Sequence, residues 1–109
     1  MLKMQVIMDE EKIRREGKFD LKKVQASIDD IFMNKCNLVK GQDGFYLETG
    51  TSADLALFTR ATGILKRTQW FLDNVKVWLL FDSTDRDDPN DFIVDDVKEY
   101  YRAKFAISA

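Results

Sequence analysis

Apolar and polar residues alternate from Lys3 to Met8, which predicts a first strand with Met4, Val6 and Met8 on one face and Gln5 and Ile7 on the other. Asp9 suits a helix N-cap and Glu10 and Glu11 suit a helix N-terminus, so a short helical turn follows until Gly17 interrupts it. Asp20 then caps a full helix. Leu21, Val24, Ile28, Ile31 and Phe32 recur at three- and four-residue steps, laying one apolar stripe on a core and turning Lys22, Lys23, Asp29 and Asp30 to water, with an end near Lys35. Leu38–Lys40 and Phe45–Glu48 read as two short strands joined by Gly41-Gln42-Asp43-Gly44, a hairpin turn.

Thr51 or Ser52, with Asp54, starts the next helix, whose inner face is Leu55, Phe58, Ala61, Thr62 and Leu65. Leu57, Ile64 and Phe71 widen that face, as expected of a helix covered on two sides. Asp73-Asn74 stops it before a β-branched and aromatic run, Val75–Phe81, read as a strand, although Trp70, Asn74 and Trp78 at four-residue steps leave a helical reading of part of it open. After an acidic loop, Pro89 with Asn90 or Asp91 opens a last helix with Ile93, Val97, Tyr100 or Tyr101, and Phe105 as its stripe. The final few residues are expected to fray.

This order of strands and helices predicts an α+β two-layer sandwich, a ferredoxin-like βαββαβ arrangement with an added C-terminal helix, in a single domain spanning residues 1–109. No repeat or low-complexity tract divides the chain, and its one proline marks a loop. Met1–Met8 is too short an apolar run for a secretory leader, and no window approaches the roughly 20 apolar residues of a membrane span. With Cys36 the only cysteine, no disulfide forms within the chain, and a cytoplasmic protein is expected.

There is no histidine, which removes the usual general base near neutral pH, the commonest zinc ligand and every histidine-containing triad. The expectation is therefore a non-enzyme with no catalytic residues, no metal and no cofactor. Lys35 beside Cys36 could lower its pKa, but a lone cysteine near a helix end is more often a small buried hydrophobe. Gly41 and Gly44 do not make a phosphate loop, because Asp43 sits where a phosphate would and no Gly-Lys-Ser/Thr follows. Phe45-Tyr46 is a poor match to the aromatic strands on which some RNA-binding sheets stack bases. The first strand carries no aromatic, and one of the two rings is expected in the core. Trp70 and Trp78 read as core anchors.

Charge is unevenly spread. Residues 1–40 carry nine basic and seven acidic groups, and residues 41–109 carry eight and twelve. The acid concentrates in Asp82, Asp85, Asp87, Asp88 and Asp91, followed by Asp95 and Asp96 in the expected first turns of the last helix. An EF-hand fails here: counted from Asp85, the sixth position is Asn90 where the sharp turn needs glycine, and no bidentate Glu closes the loop. A looser cation site stays open, and two further readings stand beside it. The seven carboxylates stabilise a helix dipole and solvate a loop, or they form a docking surface for Lys and Arg of a protein partner. A net charge of −2 argues against direct nucleic-acid binding.

Trp70-Phe71-Leu72-Asp73-Asn74-Val75, Trp78-Leu79 and Asp95 with Tyr100, together with Gly17-Lys18 and Asp54-Leu55, resemble small uncharacterised accessory proteins of phages and integrative elements in Gram-positive bacteria. These are packing and capping residues, so no active site is carried over. The resemblance implies an inhibitor or modulator of a host nucleic-acid-handling complex, a class that includes anti-CRISPR proteins acting on Cas effectors. The resulting expectation is a protein-binding module, monomer or homodimer and away from membranes, that uses the acidic surface. The alternative is a small-molecule or metal-responsive regulatory domain.

Overall fold

The computed structural model describes residues 1–105, and the side chain of Phe105 and the residues after it lie outside that description. The strands are β1 (Leu2–Met8), β2 (Val39–Lys40), β3 (Phe45–Leu47), β4 (Val75–Asp82) and β5 (Ile93–Asp96). They form one antiparallel sheet in the order β2-β3-β1-β4-β5. The helices are α1 (Glu10–Glu16), α2 (Leu21–Asp29), α3 (Asp54–Leu65), α4 (Gln69–Asn74) and α5 (Val97–Phe105), and α2 runs on into a π-helical segment, Asp30–Lys35. Strand β3 lies between β1 and β2, and β1 lies between β3 and β4, so each helical crossover skips one strand. That is the split βαβ, ferredoxin-like order, extended by β5 and α5.

Capping chemistry sets the first boundaries. The Asp9 carboxylate accepts the Lys12 N–H at 3.0 Å, and Gly17 closes α1 at φ 64°, a left-handed conformation that costs glycine little. Asp20 accepts the Lys22 N–H at 2.8 Å to start α2.

The sheet has one covered face. Register pairs Met4 with Tyr46 and Leu80, and Val6 with Trp78, so these side chains point the same way as Leu2 and Met8. Phe32, within the π-helical segment, stacks on Tyr46 with ring centroids 4.0 Å apart, and Phe58, Ala61 and Leu65 of α3 are buried in the same cluster. Trp78 is fully buried: Phe71 meets it edge-on at 5.0 Å, Tyr101 of α5 stacks on it at 5.5 Å, and its Nε1–H points to Met4 Sδ at 3.3 Å. All the helices that supply these contacts cover one side of the sheet.

Several expectations need correction. Ile93–Asp96 is not the first turn of the last helix; it is edge strand β5, and α5 begins only at Val97. The register pairs Phe81 with Val94, so the partner strand extends β4's hydrogen bonding and holds these residues extended. Asp95 and Asp96 are therefore strand residues, and Pro89 sits in the β4–β5 loop without opening a helix. Leu55, expected in the core, is 61% exposed. Asp29 is half-buried because Tyr46 and Lys40 reach it. The Val75 segment is a strand, as expected, but the helix before it is divided, with a separate short helix, α4, ending at Asn74.

The start of α3 is built the other way round from the expected Thr51 or Ser52 cap. Buried Asp54 reaches back, and its carboxylate accepts the N–H groups of Thr49, Gly50 and Thr51, each at 2.9 Å, and the Thr49 hydroxyl at 2.6 Å. Burial works to raise this carboxyl's pKa, but the four hydrogen bonds outweigh it and hold the pKa below the ordinary aspartate value.

Candidate functional site

The acidic loop is a structured connection between β4 and β5. Asp82, the last residue of β4, accepts the Thr84 hydroxyl at 2.6 Å and the Thr84 N–H at 2.9 Å, and these bonds lower its pKa. Ser83 is buried. Its N–H donates to the Met1 carbonyl at 2.9 Å and its hydroxyl to the Pro89 carbonyl at 2.8 Å, stapling both ends of the loop to the start of β1. Two tight turns follow. The Arg86 N–H donates to the Ser83 carbonyl, while the Asp91 and Asn90 N–H groups donate to the carbonyl and carboxylate of Asp88.

Those bonds hold the backbone and leave the acids in water. Asp85, Asp87, Asp88 and Asp91 are all exposed, and Arg86 is the one cation among the seven aspartates from Asp82 to Asp96. Its ion pair with Asp91 is 4.0 Å long and solvent-exposed, so it contributes little. Asp95 and Asp96 continue the acidic surface onto the β5 edge, where Asp96 also accepts the Glu99 N–H at 2.9 Å and caps α5. All seven aspartates thus fall on one hairpin, although two were expected on a helix.

Among the described residues, no group of three or more Asp, Glu or Cys is positioned to hold a metal ion. The carboxylates with shifted pKa values, Asp29, Asp54 and Asp82, all shift down, the reverse of what a general acid needs. For Asp29, burial pushes up, but hydrogen bonds from Lys40, Tyr46 and Gln25 prevail; Tyr46, buried and bonded to that carboxylate, is pushed well above its ordinary value. Cys36 is buried at the end of the π-helical segment. Burial pushes its thiol up despite the nearby Arg60 and Lys35, so it lacks the thiolate character of a nucleophile.

Two further features went unread in the sequence. The first is a groove of about 500 Å3 between α3 and α5, floored by Met4, Phe58, Leu80 and Val97 and rimmed by Lys66 and Tyr100. It arises because α5 packs on β4 beside α3, a consequence of the unforeseen β5. The second is the other face of the sheet, where Phe45, Phe81 and Phe92 gather around Lys3. The alternation in β1 and β4 carried a signal for it, since Lys3, Val77, Leu79 and Phe81 all fall opposite the core positions.

No protein-family model matches this sequence, and no curated protein matches it.

Proposed function

We propose that this chain is a non-enzymatic protein-binding module that docks onto a basic protein surface through the hairpin carrying Asp82, Asp85, Asp87, Asp88, Asp91, Asp95 and Asp96. The observation that carries the reading is a loop whose backbone is held by the Ser83 and Asp82 hydrogen bonds while its carboxylates stay exposed and nearly uncompensated. A loop already ordered loses little conformational freedom on binding, and clustered charge of one sign speeds encounter with a complementary surface. The resemblance to mobile-element accessory proteins supplies the partner class: a cytoplasmic host complex that handles nucleic acid, such as a Cas effector, whose basic groove such a hairpin would oppose.

Capture of host proteins on immobilised wild-type chain, repeated with Asp85, Asp87, Asp88 and Asp91 changed to Asn, tests this. Loss of the captured complex with the variant is expected. Equal capture by both chains overturns the assignment of the hairpin.

The groove between α3 and α5 favours a second reading, a regulatory domain for a small molecule, because its volume and apolar floor are those of a ligand site. A thermal-shift screen of metabolites separates the two, since a ligand of the folded state must raise its stability. Gly63 of α3 lines the groove, and a hit that disappears in Gly63→Leu would support this reading.

A further inference from the structure

Beyond the hairpin, we infer that the uncovered face of the sheet is a second docking surface, for a protein segment that presents a carboxylate among apolar side chains. The face runs across all five strands, with Phe45 and Leu47 on β3, Ile7 on β1, and Leu79 and Phe81 on β4, each partly exposed and none covered by a helix. Lys3 stands in it on the central strand. Its ammonium lies 4.5 Å from the Phe45 ring centroid, 4.6 Å from Phe92 and 5.4 Å from Phe81. Phe45 and Phe92 each meet Phe81 edge-on, so the three rings hold one another around the cation. Among the described residues no ion pair includes Lys3.

The charge pattern selects the occupant. A wholly apolar partner would strip water from the ammonium and supply no counter-charge, which is costly; a carboxylate brought in from the partner removes that cost. A second copy of the chain fits poorly. Among the strand residues, Asp96 is the carboxylate whose register falls on this face, opposite Leu79, and it already caps α5. Five strands about 4.8 Å apart and roughly 17 Å long also give a footprint on the order of 400 Å2, against the roughly 800 Å2 each partner contributes to a standard interface. Single-stranded nucleic acid would stack on the rings, but it would meet one lysine beside a hairpin of seven aspartates, the wrong balance for phosphates.

The test is selection of a displayed random-peptide library on the intact chain, followed by fluorescence-polarisation binding of the enriched peptides. Enriched sequences are expected to carry Asp or Glu flanked by apolar residues. Changing that acid to its amide should weaken binding about tenfold or more. The Lys3→Met variant should bind acid and amide peptides alike, and Phe81→Ser should weaken both, with thermal melting verifying that each variant folds. The Asn-substituted hairpin variant should keep this binding, so the two surfaces stand or fall separately. Enriched peptides without an acid, equal binding of acid and amide by the wild type, or no peptide sensitive to Phe81→Ser would each overturn the inference. So would a dimer by sedimentation that Phe81→Ser dissociates, or binding of oligo(dT) that Lys3→Glu abolishes.

Discussion

The two faces of this sheet are built from the same strands and have opposite characters. On the covered face, Met4, Tyr46 and Trp78 are sealed under the helices and the two ring polar groups have partners: Trp78 Nε1 on Met4 Sδ, Tyr46 Oη on Asp29. On the open face, Lys3, Phe45 and Phe81 stay partly in water, and the aromatic groups surround a charge. Aromatic content alone therefore says little about role. A ring stabilises the fold where a helix covers it, and it remains available to a partner where none does.

That contrast is sharpest in a pair of substitutions. Trp78→Ala should cost about 3–5 kcal/mol, because it empties the space between Met4, Phe71 and Tyr101. Phe81→Ala, one strand position from Leu80 on the same β4, should cost only about 1 kcal/mol, the scale of its edge-on ring contacts. Urea denaturation of both variants gives the comparison directly, and equal losses would erase it.

Between those extremes lie the devices that hold the strands in place. Gly44 has φ 80°, and a Cβ there would stand 2.7 Å from the Val6 carbonyl oxygen, which no flexible side chain can relieve. Gly44→Ala should destabilise by about 2 kcal/mol or more and weaken pairing of β3 with β1, visible as faster amide exchange at Val6, whose N–H donates to the Gly44 carbonyl. Asp54→Asn should cost about 2 kcal/mol, since one amide cannot accept what the carboxylate accepts from Thr49, Gly50 and Thr51. Its pH dependence has a definite sign. The folded-state pKa of Asp54 lies below its unfolded value, so the contribution is complete above about pH 5 and is lost as pH falls through the folded pKa. Wild-type stability should thus decline more steeply than that of Asp54→Asn on acidification below pH 5.

The smallest expected effect on stability comes from the hairpin. Changing Asp85, Asp87, Asp88 and Asp91 to Asn should leave stability within about 0.5 kcal/mol per site, because these groups are exposed and the loop's main anchors, Asp82 and Ser83, remain.

Much of the architecture was legible. Period-two alternation marked β1, the spacing of Val24, Ile28, Ile31 and Phe32 marked the α2 segment, Asp9 and Gly17 marked the ends of α1, and Asp20 marked the start of α2. What misled was local ambiguity. Ile93 and Val97 sit four apart and so satisfy a helical stripe, yet pairing with β4 converts Ile93–Asp96 to a strand, an outcome decided by a partner distant in sequence. Asp54 was credited with helping to start α3, but its grip on the preceding turn depends on backbone donors that no side-chain pattern reveals. The seven aspartates were legible as a cluster because they are close in sequence. The Lys3 surface was not, since Lys3, Phe45, Phe81 and Phe92 come from four separate segments that only the strand order brings together.

The central claim, that the hairpin recognises its partner by charge, is tested most directly by the salt dependence of binding to the captured partner. Affinity should fall steeply as ionic strength rises from low values to the physiological range of about 0.15 M, where the screening length shrinks to about 8 Å. The variant with Asn at positions 85, 87, 88 and 91 should show a weak and nearly flat response. A wild-type affinity indifferent to salt, or a variant with the same slope as wild type, would contradict the account.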